Sequence, residues 1–221
     1  MKKIWKYRFY YYLALPGLVY FIIFHYVPMA GALIAFKDIS PFDGLQGFFD
    51  APWVGLKHFE RFTSSVYFYD VIENTLIISG LKILFGFPAP IIFALLLNEV
   101  LRMSLKRVMQ TISYLPHFIS WVVTAGMITA LLATSGGLIT ETINDFTGSS
   151  INFLGNKDYF VGILVTSHVW KTIGWSSIIY LAAMSSIDPA LYESARIDGA
   201  NRLQMAWHIT LPSIMFVIVI M

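Results

Sequence analysis

Apolar residues in this chain gather into long runs separated by polar connections. The runs cover about residues 9–36, 74–97, 111–133 and 160–185, and another opens at 213–221. Each of the first four exceeds the roughly 18–20 residues that an α-helix needs to cross a hydrocarbon layer about 30 Å thick. The pattern predicts an all-α, polytopic transmembrane helix bundle forming one domain, 1–221, with four complete spans and the start of a fifth. Pro16 and Pro28 fall near the ends of the first run, where a lost backbone bond is tolerated, whereas Pro88 and Pro90 predict a kink in the second. Pro116-His117 interrupts the third. Between the runs, residues 37–70 mix turn residues with Phe48, Phe49, Trp53 and Phe59, as suits a segment on the outer membrane surface. Residues 98–110 read as a short polar turn, and 134–159 as a polar, glycine-rich loop.

The last polar connection, 187–212, carries complete helix punctuation. Asp188 is placed to cap a helix with Pro189 at its first position, where the missing N–H costs nothing. Gly199 is the natural left-handed residue after that helix, and Asn201 with Gln204 forms the capping pair of a second one. The segment reads as two short helices joined by a glycine turn, lying in water beside the membrane.

Composition strengthens the membrane reading: 57% of residues are hydrophobic, 13% are charged, and the mean hydropathy is +0.68, outside the range of soluble domains. The apolar run after Lys2, Lys3, Lys6 and Arg8 is longer than a signal-peptide core, so it reads as an uncleaved span with its N-terminus inside. Charge gives the orientation. The N-terminus, the 98–110 turn and the 187–212 loop hold nine of the fifteen Lys and Arg residues, and the two intervening loops hold four. By the positive-inside rule the chain is a multi-pass plasma-membrane protein with its N-terminus and the 187–212 loop in the cytoplasm. There is no cysteine, which removes disulfides and thiolate chemistry. The charges of 187–212 are mixed, Arg196 and Arg202 against Asp188, Glu193 and Asp198, so the two helices are no nucleic-acid reader.

Glu193-Ser194-Ala195, then three residues, Gly199, nine residues, Ile209, one residue and Leu211-Pro212 resembles the EAA loop of ABC importer permeases, with Ser194 in place of the usual second alanine. The stretches 11–38, 53–59, 74–76 and 115–123 are similar to the carbohydrate branch of that family, which imports complex oligosaccharides. The resemblance implies a permease subunit without enzymatic activity and with no cofactor of its own. ATP hydrolysis falls to cytoplasmic ATPase subunits, which dock on the loop through Glu193, Ser194, Ala195, Asp198, Gly199, Ile209, Leu211 and Pro212. It also implies a second homologous permease subunit, an extracellular or periplasmic substrate-binding protein, and a boundary of membrane lipid. Family members have six spans. Only nine residues follow Pro212, so the sequence reads as a truncated form of such a subunit.

The remaining candidates are polar residues inside apolar runs, where a central charge costs at least ~2.5–3.5 kcal/mol. Lys171 lies deep in its run near Trp170 and Trp175, and aromatic faces beside a donor suit the lining of a sugar path. A lysine satisfied by backbone carbonyls is the structural alternative. Lys82 fits a side chain reaching toward the interface, and His117 and His168 read as interior hydrogen-bonding groups without metal-ligand spacing. The rival function is an ion-coupled secondary transporter using these lysines and histidines as a relay. The absence of Asp and Glu from the span cores weighs against it.

Overall fold

The computed structural model describes residues 5–40, 42–148 and 151–221; the predicted basic residues Lys2 and Lys3 lie outside them. The described residues are helical apart from turns, loops and one isolated β-bridge, Lys37 to Trp53. The fold is therefore all-α. Two compact units are distinguished, one ending at Ile72 and the other running from Glu73 to Met221.

In the first unit, α1 (Arg8–Phe36) is a single helical rod with a π-turn at Ile22–Tyr26 and a tighter 3-10 end at Gly31–Phe36. It buries none of its residues, and an apolar helix with no buried side suits lipid rather than a protein core. After it, α2 (Gly44–Asp50) and α3 (Lys57–Thr63) occupy the aromatic-rich connection. Buried Lys37 donates from Nζ to the carbonyls of Phe48 at 2.8 Å and Phe49 at 3.2 Å, satisfying the open end of α2. Lys57 pairs with Asp38 at 2.8 Å.

The second unit is organised by α4 (Phe68–Asn98), which begins in the first, and α8 (Lys157–Ser185). Their packing, with Ile214, forms a core of Ile91, Ala94, Leu97, Tyr180, Leu181 and Met184. The prolines predicted to kink α4 divide it into Phe68–Gly86 and Pro88–Asn98 at Phe87, yet the 31 residues remain one helical element, because Phe87 keeps right-handed helical dihedrals and its N–H still bonds the Ile83 carbonyl at 3.1 Å.

Two connections differ from the sequence reading. The polar turn predicted at 98–110 is a turn only as far as Arg102, and α5 (Met103–Phe118) begins within it: Arg and Lys there mark water, not the absence of helix. The single span predicted over 111–133 is instead a pair, α5 and α6 (Trp121–Leu131), meeting at 101°. The break lies at Ile119 and Ser120, both extended, three residues beyond the proline thought to interrupt it. The loop predicted at 134–159 also contains a helix, α7 (Leu138–Thr147).

Among the described residues, α1 and α4 are long and apolar enough to cross a membrane, and the bent α5–α6 pair is a third candidate if taken as one. At 29 residues α8 is long, but His168, Lys171, Thr172 and several serines make it more polar. Its close approach to α5 rests on Gly174, where a Cβ would run into the carbonyl of Ser113.

Candidate functional site

The two helices expected at 187–212 form through local side-chain chemistry. Asp188 Oδ1 accepts from the N–H of Ala190 at 2.9 Å, and with Pro189 in first position it opens α9 (Pro189–Ile197). Gly199 then takes φ 79°, which lets its own N–H reach the Arg196 carbonyl at 3.1 Å and the Ala200 N–H reach that of Ala195 at 2.9 Å. This paired closure satisfies the last carbonyls of α9. Asn201 and Gln204 each accept from the other's backbone N–H, at 2.9 and 2.8 Å, and open α10 (Arg202–Met205). From there the helix passes through a π-turn, Ala206–Thr210, and a short segment, Leu211–Ser213 with Pro212 in its first turn, to α11 (Met215–Ile220).

Two long-range ties hold this helical hairpin to the unit. Tyr192 Oη and buried Thr210 Oγ1 lie 2.9 Å apart, joining α9 to the π-turn. Arg202 Nη1 donates to Glu99 Oε2 at 3.1 Å, fastening α10 to the end of α4. Glu193, Ser194 and Asp198 are exposed, Ala195, Ile209 and Leu211 are half-buried, and Pro212 is exposed. Ser194 bonds back to the Ala190 carbonyl at 2.5 Å, so its hydroxyl is turned onto its own helix. Beside α9 lies a cavity of about 780 Å³ whose lining includes Glu193 and Arg196 from α9 and Glu99 and Arg202 across from them. It offers both signs of charge to whatever enters. An adjoining, more apolar cavity of about 620 Å³ runs between α4 and α10, past Leu203, Trp207 and Leu211. Sequence reasoning read Tyr192 only as a packing partner for Ile187 and gave Glu99 no role, because Thr210 and Arg202 lie 18 and 103 residues away from them.

Of the three residues assigned from sequence to a sugar path, Lys171 and Trp175 both meet the α5–α6 break and Trp170 does not. Lys171 Nζ donates to the carbonyls of Pro116 at 3.0 Å, His117 at 3.1 Å and Ile119, which occupies the three hydrogens of the ammonium. The structural alternative for this lysine is the one realised. Trp175 lies next to the α5–α6 break, stacked on His117 with ring centroids 4.7 Å apart and in edge contact with Phe118. A second indole–imidazole pair, Trp121 with His168, stands beside it with centroids 6.4 Å apart and nearly parallel rings. Trp170 is partly exposed and joins neither pair. Among the described residues no group of three or more His, Asp or Glu could hold a metal.

The description "Binding-protein-dependent transport system inner membrane component" matches residues 86–221. Among curated relatives, the polygalacturonan/rhamnogalacturonan transport system permease protein YteP of Bacillus subtilis is 47% identical over 99% of this chain and 67% of its own. Protein LplB of the same organism is 44% identical over 96% of this chain and 65% of its own. The chain thus spans about two thirds of the length of these relatives. A crystal structure of a bacterial ABC transporter involved in the import of the acidic polysaccharide alginate superposes with a TM-score of 0.88 at 42% identity, over 99% of this chain and 72% of that one. A second alginate ABC transporter structure, in complex with an alginate pentasaccharide-bound periplasmic protein, gives 0.87 over 98% and 70%. Fold, motif spacing and relatives converge: the chain belongs to the family of inner-membrane components of binding-protein-dependent transport systems, the permease subunits of ABC importers.

Proposed function

We propose that this chain is the membrane-spanning permease subunit of an ATP-driven importer of oligosaccharides, coupled to a separate ATPase subunit through residues 187–212. The observation that carries the proposal is the α9–α10 hairpin: its caps are all internally satisfied, yet it holds Glu193 outward beside a cavity of mixed charge. A carboxylate there contributes nothing to packing in the unit, so its value lies in a basic group on another polypeptide. Oligosaccharide as the cargo is supported by the transport named for YteP and by the alginate importers. An external binding protein delivers it, and a second homologous permease subunit completes the path. ATP binds on the ATPase subunits and not on this chain.

In this reading α1, α4, the bent α5–α6 pair and α8 are the four spans, and α11 starts a fifth. Basic residues put the N-terminus and the α9–α10 hairpin in the cytoplasm. The secondary-transporter alternative loses its best relay residue, because Lys171 is held by three carbonyls.

The test is reconstitution with ATPase subunits, a second permease subunit and binding protein, using alginate and galacturonan oligosaccharides as cargo. ATP-dependent uptake supports the proposal. Uptake driven by an ion gradient without any ATPase subunit contradicts it.

A further inference from the structure

We infer that Lys171 is a positioning residue that clasps the broken α5–α6 helix to α8, so that the elbow and the lever leading to the coupling hairpin move together. The side chain is 5% exposed and fourteen residues from either end of α8. Its three carbonyl acceptors all belong to the last turn of α5 and the break that follows, which is the negative end of a helix dipole. Its ammonium also stands 5.3 Å from the ring centroid of Trp121, the first residue of α6. One cation therefore touches the end of α5, the break and the start of α6.

The physical need is specific to a membrane. A 101° break leaves carbonyls with no helical partner, and in a bilayer core there is no water to take them, so a broken helix persists only where protein satisfies its freed groups. The amide side of this break is satisfied locally, by Ser120 Oγ accepting from the Val123 N–H at 3.2 Å. On the carbonyl side the Ile119 N–H reaches back to Pro116 at 3.3 Å, and Lys171, from another helix, supplies the donors to Pro116, His117 and Ile119. That asymmetry ties the elbow to α8 and leaves its second arm, α6, capped by its own serine. The far end of α8 leads through three residues into α9, so the same rod carries the clasp and the coupling hairpin. Lys171 thereby binds no cargo; it fixes where Trp121, His117 and Trp175 stand.

The experiment uses the full chain in lipid bilayers. Because the protein has no native cysteine, spin labels at Val108→Cys on α5 and Met127→Cys on α6 report the elbow alone. The parent gives one narrow distance distribution. Lys171→Met, which keeps the stem and removes the cation, is expected to shift or broaden it, and Lys171→Arg, which keeps charge and donors, to restore it. An unchanged distribution in Lys171→Met overturns the inference. If Lys171→Met does not accumulate, Lys171→Arg must accumulate with the parental distribution, and its loss alongside the methionine variant also overturns the inference. A second arm rests on the proposed function: in the assembled importer, Lys171→Met is expected to lower the maximal rate of oligogalacturonide uptake while KM stays within about twofold, and Lys171→Arg to recover most of that rate. A KM rise of about tenfold or more at unchanged rate makes Lys171 a cargo ligand instead. The distance arm needs no transport, so the clasp can fail while the transport reading stands, and the reverse.

Discussion

Arg202 lies 103 residues after Glu99 in sequence, and its Nη1 reaches Glu99 Oε2 across 3.1 Å, fastening the first turn of α10 to the end of α4. Both side chains are largely exposed, 64% and 48%, so the pair contributes little to stability, about 0–1 kcal/mol. Its consequence is geometric. Under the proposed coupling role the hairpin needs a strut to one of the spans, and α4 supplies three of the seven core residues, as many as α8.

Reversal of either charge alone, Glu99→Arg or Arg202→Glu, is expected to leave membrane insertion intact and to lower cargo-stimulated ATP hydrolysis severalfold. The double exchange recovers most of it. Hydrolysis by the assembled importer, compared across the four proteins as a cycle, checks this; single variants that behave as the parent remove the strut.

Gly174 sets the distance between α8 and α5. A methyl group there collides with the Ser113 carbonyl, a backbone atom that cannot swing away, so Gly174→Ala is expected to cost about 1–3 kcal/mol by overpacking. At Gly162, nearer the start of the same helix, an added Cβ meets nothing within 4 Å, and Gly162→Ala is expected to be neutral or slightly stabilising. Thermal stability in detergent separates the two. Equal melting temperatures would show that the helices approach less closely than described.

Outside the spans, the hydrogen bond from Lys57, reinforced by its charge, holds the Asp38 carboxyl below its ordinary value of 3.8. A folded value below the unfolded one means that the pair contributes above pH 3.8 and is lost as pH falls through the lower, folded value. Carboxyl NMR of Asp38 is expected to give a midpoint below 3.8 that moves back up in Lys57→Met. A parental midpoint at or above 3.8 counts against the pair.

What could be read from sequence divides by the range of the forces involved. Asp188, Gly199, Asn201 and Gln204 act on backbone groups within five residues, so their spacing alone foretold the α9–α10 hairpin, its caps and its left-handed glycine. The elbow between α5 and α6 was misplaced for the opposite reason. Pro116 is the visible breaker, but the chain keeps its helix through Phe118, and the break falls where Ser120 caps one helix and Lys171, more than fifty residues on, satisfies the other. For the same reason Lys171 could be read from sequence either as a donor in a sugar path or as a lysine held by backbone carbonyls: nothing near it in sequence shows which carbonyls it meets. The Glu99–Arg202 and Tyr192–Thr210 ties were equally hidden.

The most direct measurement concerns Glu193 and Gly199 in the complete importer. Glu193 is exposed on α9, and Gly199 holds φ 79° with open space around its missing side chain, so Gly199→Val introduces only a backbone cost of about 1–2 kcal/mol and a changed angle between α9 and α10. Glu193→Ala, Glu193→Lys and Gly199→Val are to be purified with the ATPase subunit and assayed for ATP hydrolysis with and without loaded binding protein. Insertion of the permease is expected to persist while bound ATPase subunit, stimulated hydrolysis and uptake fall together, lysine at 193 being worse than alanine because it sets like charges across the contact. Parental binding and stimulated hydrolysis in all three would reduce residues 187–212 to a connector and contradict the coupling role.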